Sequence, residues 1–214
     1  MMNLELLFWA AESSKNETLR SMAVSHATRM ATSGMIRQDG CTYHLLDFNE
    51  TSGAVISRSS LPQGYSDQSI WSRGQAWAVY GFVIAYRYTG DPLFLQMAKD
   101  SASCFLAHLK SCCSDNVPLF DFAYPGQQRD ASAGSITASG LIELAWMTGN
   151  NEYRDAAKSI LDGLTSAPYL GVPGQTDTML LHSVGSWPDG EWDLPESYAD
   201  YYLLEAVIKY RSSQ

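Results

Sequence analysis

This chain lacks a basic surplus. Lys and Arg number 14 against 23 Asp and Glu, a formal net charge of −9. That balance argues against nucleic acid or an anionic membrane surface as a partner. No apolar run approaches the roughly 18 residues that a membrane span needs. No basic stretch with a following apolar run and cleavage site opens the chain, so no signal peptide is expected at Met1, and the compartment stays open. There is no Cys-x-x-Cys, and His26, His44, His108 and His182 show no metal-ligand spacing. Four cysteines are too few to frame a chain of 214 residues with disulfides. Cys112 and Cys113 are adjacent and poorly placed to pair with each other, so all four are expected as buried or half-buried thiols. No linker or low-complexity tract divides the sequence, and residues 1–214 read as one domain or part of one.

What is present is apolar mass. Hydrophobic residues make up 45% of the chain and charged residues only 17%, the proportions of a globular protein. Three segments repeat one pattern: Asn16-Glu17-Thr18-Leu19, Gly90-Asp91-Pro92-Leu93 and Gly149-Asn150-Asn151-Glu152. Each reads as a turn, a helix cap and then an amphipathic helix. Each follows another helical stretch, at Leu4–Ala11, Gly74–Tyr88 and Ser135–Met147. Three helical hairpins with shared turn chemistry indicate a helical repeat. A last helix, Tyr198–Tyr210, begins a further hairpin. Between these, 34–70 and 171–196 hold the prolines, glycines and short β-type runs, and loops of that length are usually functional.

The chemistry concentrates in 63–77. Gln63 precedes Trp71, Arg73, Gln75 and Trp77, with Gly64 and Gly74 among them. Tryptophan faces stack on sugar rings. An arginine fork matches a carboxylate. Glutamine both donates and accepts, as a sugar hydroxyl requires. An acidic sugar suits this set best, although Trp71 and Trp77 read equally well as core anchors at a helix start. Asp67 lies beside the cluster and is expected to order the loop. Asp130 reads as a helix N-cap. Glu191, Asp193 and Glu196 read as a solvated loop, and Ser183 and Tyr198 as candidates for a cleft rim.

Trp71-Ser72-Arg73-Gly74-Gln75-Ala76-Trp77, followed by Tyr80-Gly81-Phe82 and Tyr86-Arg87-Tyr88-Thr89-Gly90-Asp91, resembles the signature of unsaturated glucuronyl hydrolases. Met1-Met2-Asn3-Leu4, Thr42-Tyr43-His44, Arg129-Asp130, Leu181-His182-Ser183-Val184-Gly185 and Tyr198-Ala199-Asp200-Tyr201-Tyr202 are similar to that family too, in family order. The resemblance implies an all-α fold, the C-terminal half of an (α/α)6 barrel, with residues 1–214 forming part of a glycoside hydrolase catalytic domain. It places both catalytic aspartates upstream, one of them just before the Met-Met-Asn that opens this chain, so no catalytic residue is expected here. It implies that His44 faces the unsaturated sugar and Gln63 reaches it. Arg73 and Trp77 line its carboxylate and ring, and Trp71 walls the pocket. Pro62 departs from the histidine common there in relatives.

The implied reaction removes a 4,5-unsaturated uronic acid from the non-reducing end of an oligosaccharide made by a lyase. A carboxylic acid protonates C4, water adds at C5, and the hemiketal collapses. Neither metal nor cofactor is required. Two other functions stand beside it: an inactive helical-repeat carbohydrate-binding or scaffold protein, and an unsaturated rhamnogalacturonyl hydrolase. The latter typically carries Asn-Gly where this chain has Gln75-Ala76.

Overall fold

The structure, a computed structural model, describes residues 1–212. Among the described residues seven helices carry the fold: α1 (Leu4–Ser14), α2 (Glu17–Thr32), α3 (Ser72–Thr89), α4 (Pro92–Cys112), α5 (Ala131–Thr148), α6 (Asn151–Leu164) and α7 (Ser197–Ser212). Consecutive helices pair as hairpins α1/α2, α3/α4 and α5/α6, and the expected repeat is present. One row runs α1, α3, α5, α7, with α2, α4 and α6 behind it. The helices start and stop within a few residues of the positions expected from periodicity.

The three turns share their chemistry at atomic level. Gly90 and Gly149 end α3 and α5 at φ 68°, a left-handed conformation open to glycine. The next residue caps the following helix: Asp91 accepts from the Leu93 amide, and Asn150 from the Glu152 amide. Thr89 and Thr148 each donate a hydroxyl back to the carbonyl four residues earlier and accept the cap residue's own amide. The first turn follows suit with Lys15 in the left-handed position, at φ 53°, and Asn16 as the cap.

Helix α5 lies at the centre. It is buried on every side from Ala131 to Ala145. Its Ala, Ser and Gly residues let α3 come close, and a Cβ added at Gly140 would stand 3.2 Å from the Tyr80 backbone. The front row is also tied by charge. Arg87 on α3 donates to Glu5 on α1 (2.6 Å) and to Glu143 on α5 (3.0 Å). Lys209 on α7 reaches the same Glu143 (3.0 Å). The Tyr80 hydroxyl donates to Glu5 and Glu205, and burial, with those two carboxylates, pushes its pKa far up.

Within 34–70, where the sequence shows short β-type runs, β1 (Leu45–Phe48) pairs antiparallel with β2 (Val55–Ser59). Among the described residues no helix is long and apolar enough to cross a membrane.

The cysteine expectation is corrected. Cys41 is bonded to Cys104, and Cys112 to Cys113, so no free cysteine remains among the described residues. The loop at 36–42 folds back on α4 and brings together two sulfurs 63 positions apart in sequence, a closeness that spacing cannot display. The adjacent pair forms where α4 ends: Cys113 is the cap residue and has left helical geometry.

Candidate functional site

Trp71 organises the site. It is the N-cap of α3, extended rather than helical, and its backbone pairs with Asp121. Its ring folds back over the first turn of α3. Gly74 makes room: a Cβ there would lie 2.6 Å from Trp71 Cε3. The ring packs against Phe120 and Val184 and meets the edge of His44 at 4.7 Å between centroids.

Trp71, Gly74, Trp77, Ala78 and Phe82 form one wall of a cavity of about 250 Å³. Met30, Met35 and Ile36 close it, with Thr42, Tyr43 and His44. Met1 and Met2 complete the lining. No carboxylate appears among the described lining residues. Trp77 is held by Tyr202 at 5.3 Å and Tyr198 at 6.2 Å. The aromatic walls offer stacking faces, and His44 offers a ring nitrogen that can exchange a hydrogen bond.

The approach of His44 to the cavity is built from α3. Gln75, fully buried, accepts the Thr42 amide (2.8 Å) and donates to Gly40 O and Ser101 O, both at 2.9 Å. One side chain thus sews the 36–42 loop to two helices. The His44 imidazole pKa is pushed below its ordinary value, first by burial and further by the Arg73 charge. A hydrogen bond between Nδ1 and Leu61 O opposes the shift.

Arg73 lies behind the cavity wall and not in its lining. It is 5% exposed. Nη1 donates to Asp130 (2.9 Å) and to Val184 O, and Nη2 donates to Gly185 O (2.7 Å). Its guanidinium sits over Trp71 at 4.9 Å. Asp130 also caps α5 as expected, accepting the Ser132 amide at 3.1 Å. Gln63 is off the cavity too. Its Nε2 donates to Ser186 Oγ at 3.4 Å, and its buried Oε1 has no protein partner among the described residues. Asp67 is exposed.

Of the five site residues expected from sequence, the fold brings His44, Trp71 and Trp77 into one cavity and leaves Arg73 and Gln63 outside its lining. Tyr43, Met30 and Met35 went unread. Tyr43 adjoins His44 in sequence and could have been found; the methionines reach the cavity only through the packing of α2 and its exit loop. Glu196 was read as solvated but is half-buried. Burial raises its carboxyl pKa, the Arg73 charge pulls against that, and Asp130 and Glu191 push it further up.

An array of helical hairpins closing an aromatic-walled cavity is the class that this fold and site define. The chain resembles unsaturated glucuronyl hydrolases across nearly its whole length. One from Formosa agariphila is 39% identical over 212 residues, covering 97% of this chain and 52% of that protein. An unsaturated chondroitin disaccharide hydrolase from Streptococcus pyogenes serotype M1 is 32% identical over 222 residues, covering 98% of this chain and 54% of that protein. A crystal structure of an unsaturated glucuronyl hydrolase specific for heparin matches with a TM-score of 0.94 at 35% identity, covering 99% of this chain and 58% of the other. No family model matches. The chain spans about half the length of the curated relatives it matches.

Proposed function

We propose that this chain is the C-terminal half of an (α/α)6 glycoside hydrolase of the unsaturated glucuronyl type, and that it supplies the sugar cavity. One observation carries the proposal: His44, Trp71 and Trp77 wall a cavity of about 250 Å³ that Met1 and Met2 also line. The family resemblance implies an aspartate just before Met1-Met2-Asn3. Such a group would enter at the cavity wall, within reach of a ring stacked on tryptophan. The substrate is an oligosaccharide ending in a 4,5-unsaturated uronic acid. The acid protonates C4, water adds at C5, and the hemiketal opens to release the next sugar.

The residues of this chain bind and orient the substrate. Trp77 and Trp71 stack on the ring. His44, held neutral, exchanges a hydrogen bond with the sugar. The Nη atoms of Arg73 are engaged by Asp130 and two carbonyls, so Arg73 acts on the uronate as a fixed positive charge behind Trp71.

A second function, carbohydrate binding without turnover, is favoured for the 214-residue chain by the absence of a carboxylate in the described cavity lining. Loss of the unsaturated uronate's ultraviolet absorbance separates the two. The 214-residue chain is expected to show little or no turnover, because loss of a positioned acid costs about 10²–10⁴-fold. A version extended upstream through an aspartate is expected to be active. Robust turnover by the short chain, abolished by Asp67→Asn, would overturn the assignment of the acid. Calorimetry with an unsaturated disaccharide should show weaker binding by Trp77→Ala than by the parent chain. Equal binding would remove Trp77 from the site.

A further inference from the structure

On the α4 side of the 36–42 loop, Cys41, Cys104 and His108 converge, with their sulfur and nitrogen atoms all within 4.8 Å of one another. Both sulfurs are buried, and His108 is half-buried. Cys104 and His108 are four residues apart on α4, which sets them side by side on one face. Cys41 comes from the loop, its amide donating to Asp39 Oδ1 at 3.0 Å. Gln75 pins the residues on either side of it. Phe122 stacks against the His108 ring at 5.3 Å and holds its orientation.

We propose that Cys41, Cys104 and His108 hold a thiophilic divalent cation of the zinc type whenever the Cys41–Cys104 bond is reduced. The disulfide and the cation are alternative uses of the same two sulfurs. A dithiol or phosphine reductant supplies two electrons and is itself oxidised, leaving two thiols. The cation then displaces one proton from each thiol as two metal–sulfur bonds form. Zinc takes sulfur at about 2.3 Å and imidazole nitrogen at about 2.0–2.1 Å in tetrahedral geometry, so a sulfur–nitrogen edge is about 3.6 Å. Cys41 Sγ and His108 Nε2 already stand 3.8 Å apart. The two Cα atoms are 5.4 Å apart, which lets the sulfurs separate to a tetrahedral edge by side-chain rotation. Water completes the four ligands from the open side of His108. Thr42 and Tyr43 follow Cys41 directly and line the sugar cavity, so the occupant of this site bears on the cavity wall.

The test uses the 214-residue chain carrying Cys112→Ser and Cys113→Ser, so that only this cysteine pair remains. The chain is reduced with a phosphine, desalted without oxygen and titrated with Co²⁺, then Zn²⁺. One equivalent of Co²⁺ is expected, with thiolate-to-cobalt charge-transfer absorbance and intense tetrahedral ligand-field bands, and Zn²⁺ should displace it. The oxidised chain should bind none. Cys41→Ser should abolish the charge-transfer absorbance. His108→Ala, which leaves both thiols and a half-exposed helix face, should weaken binding by about tenfold or more while helical circular dichroism is kept. Absence of the charge-transfer absorbance in the folded, reduced chain would overturn the proposal. So would unchanged affinity in His108→Ala, or equal binding by the oxidised chain.

Discussion

Gly74 decides where Trp71 can be. It occupies the first turn of α3 beneath the indole, at a distance that leaves no room for a methyl group. Gly74→Ala is expected to displace the Trp71 ring and with it the edge contact to His44. Calorimetry should show weaker sugar binding while the helix survives, since alanine is the better helix former. Unchanged binding would mean that Trp71 is only a core anchor. His44 has a pH signature. Its folded pKa lies below the unfolded value of about 6.5, so the unfolded chain takes up the proton first as pH falls. Its contribution to stability is complete above about pH 6.5 and is lost on acidification toward the folded pKa. Urea midpoints should therefore fall less between about pH 7 and 5.5 in His44→Gln than in the parent. His26, whose pKa is lowered by burial and by the N-terminal charge, and Glu196 titrate in both proteins and cancel in the comparison. Sequence revealed which side chains suit a sugar, but not that Arg73 would spend its donors on Asp130 and two carbonyls. Those partners arrive from positions 57 to 112 residues away.

At the scale of the element, the hairpin turns were the most legible part of the chain, because each is specified by neighbours in sequence. A left-handed residue followed at once by an Asx cap fixes where one helix stops and the next starts. The exception is Lys15, which takes the conformation that glycine takes in the other two turns. Lys15→Gly is expected to raise stability by up to about 1 kcal/mol, since a side chain in this region is strained. Gly90→Ala and Gly149→Ala should each lower it by about 1 kcal/mol. Thermal melts of the three variants check this, and a drop for Lys15→Gly would show that the turns are not equivalent. The Cys41–Cys104 pair was illegible for the opposite reason. Cys41 meets Cys104 only where the loop, α3 and α4 come together around Gln75.

For the whole molecule, the repeat announced three helical hairpins, and the hairpins are there. What periodicity could not convey is that α5 has no solvent face from Ala131 to Ala145, because its Ala, Ser and Gly residues look neutral in any amphipathic reading. That burial separates the fold by depth. Helix α5 packs against α3, α6 and α7 at once, whereas α1 and α7 stand at the ends of the front row. Backbone amides of Ile136–Leu144 should be the slowest in the chain to exchange with deuterium, released only by global opening. Amides of α1 should exchange first, with α7 between them. Mass spectrometry of the exchanging chain reads this order directly, and α5 exchanging as fast as α1 would contradict it. A protein protected in this way loses structure from its flanks inward. The cavity, whose walls draw on Met1, Met2 and the end of α2 as well as on α3, would then come apart while its central helices are still folded, and sugar binding would vanish at a lower denaturant concentration than helicity.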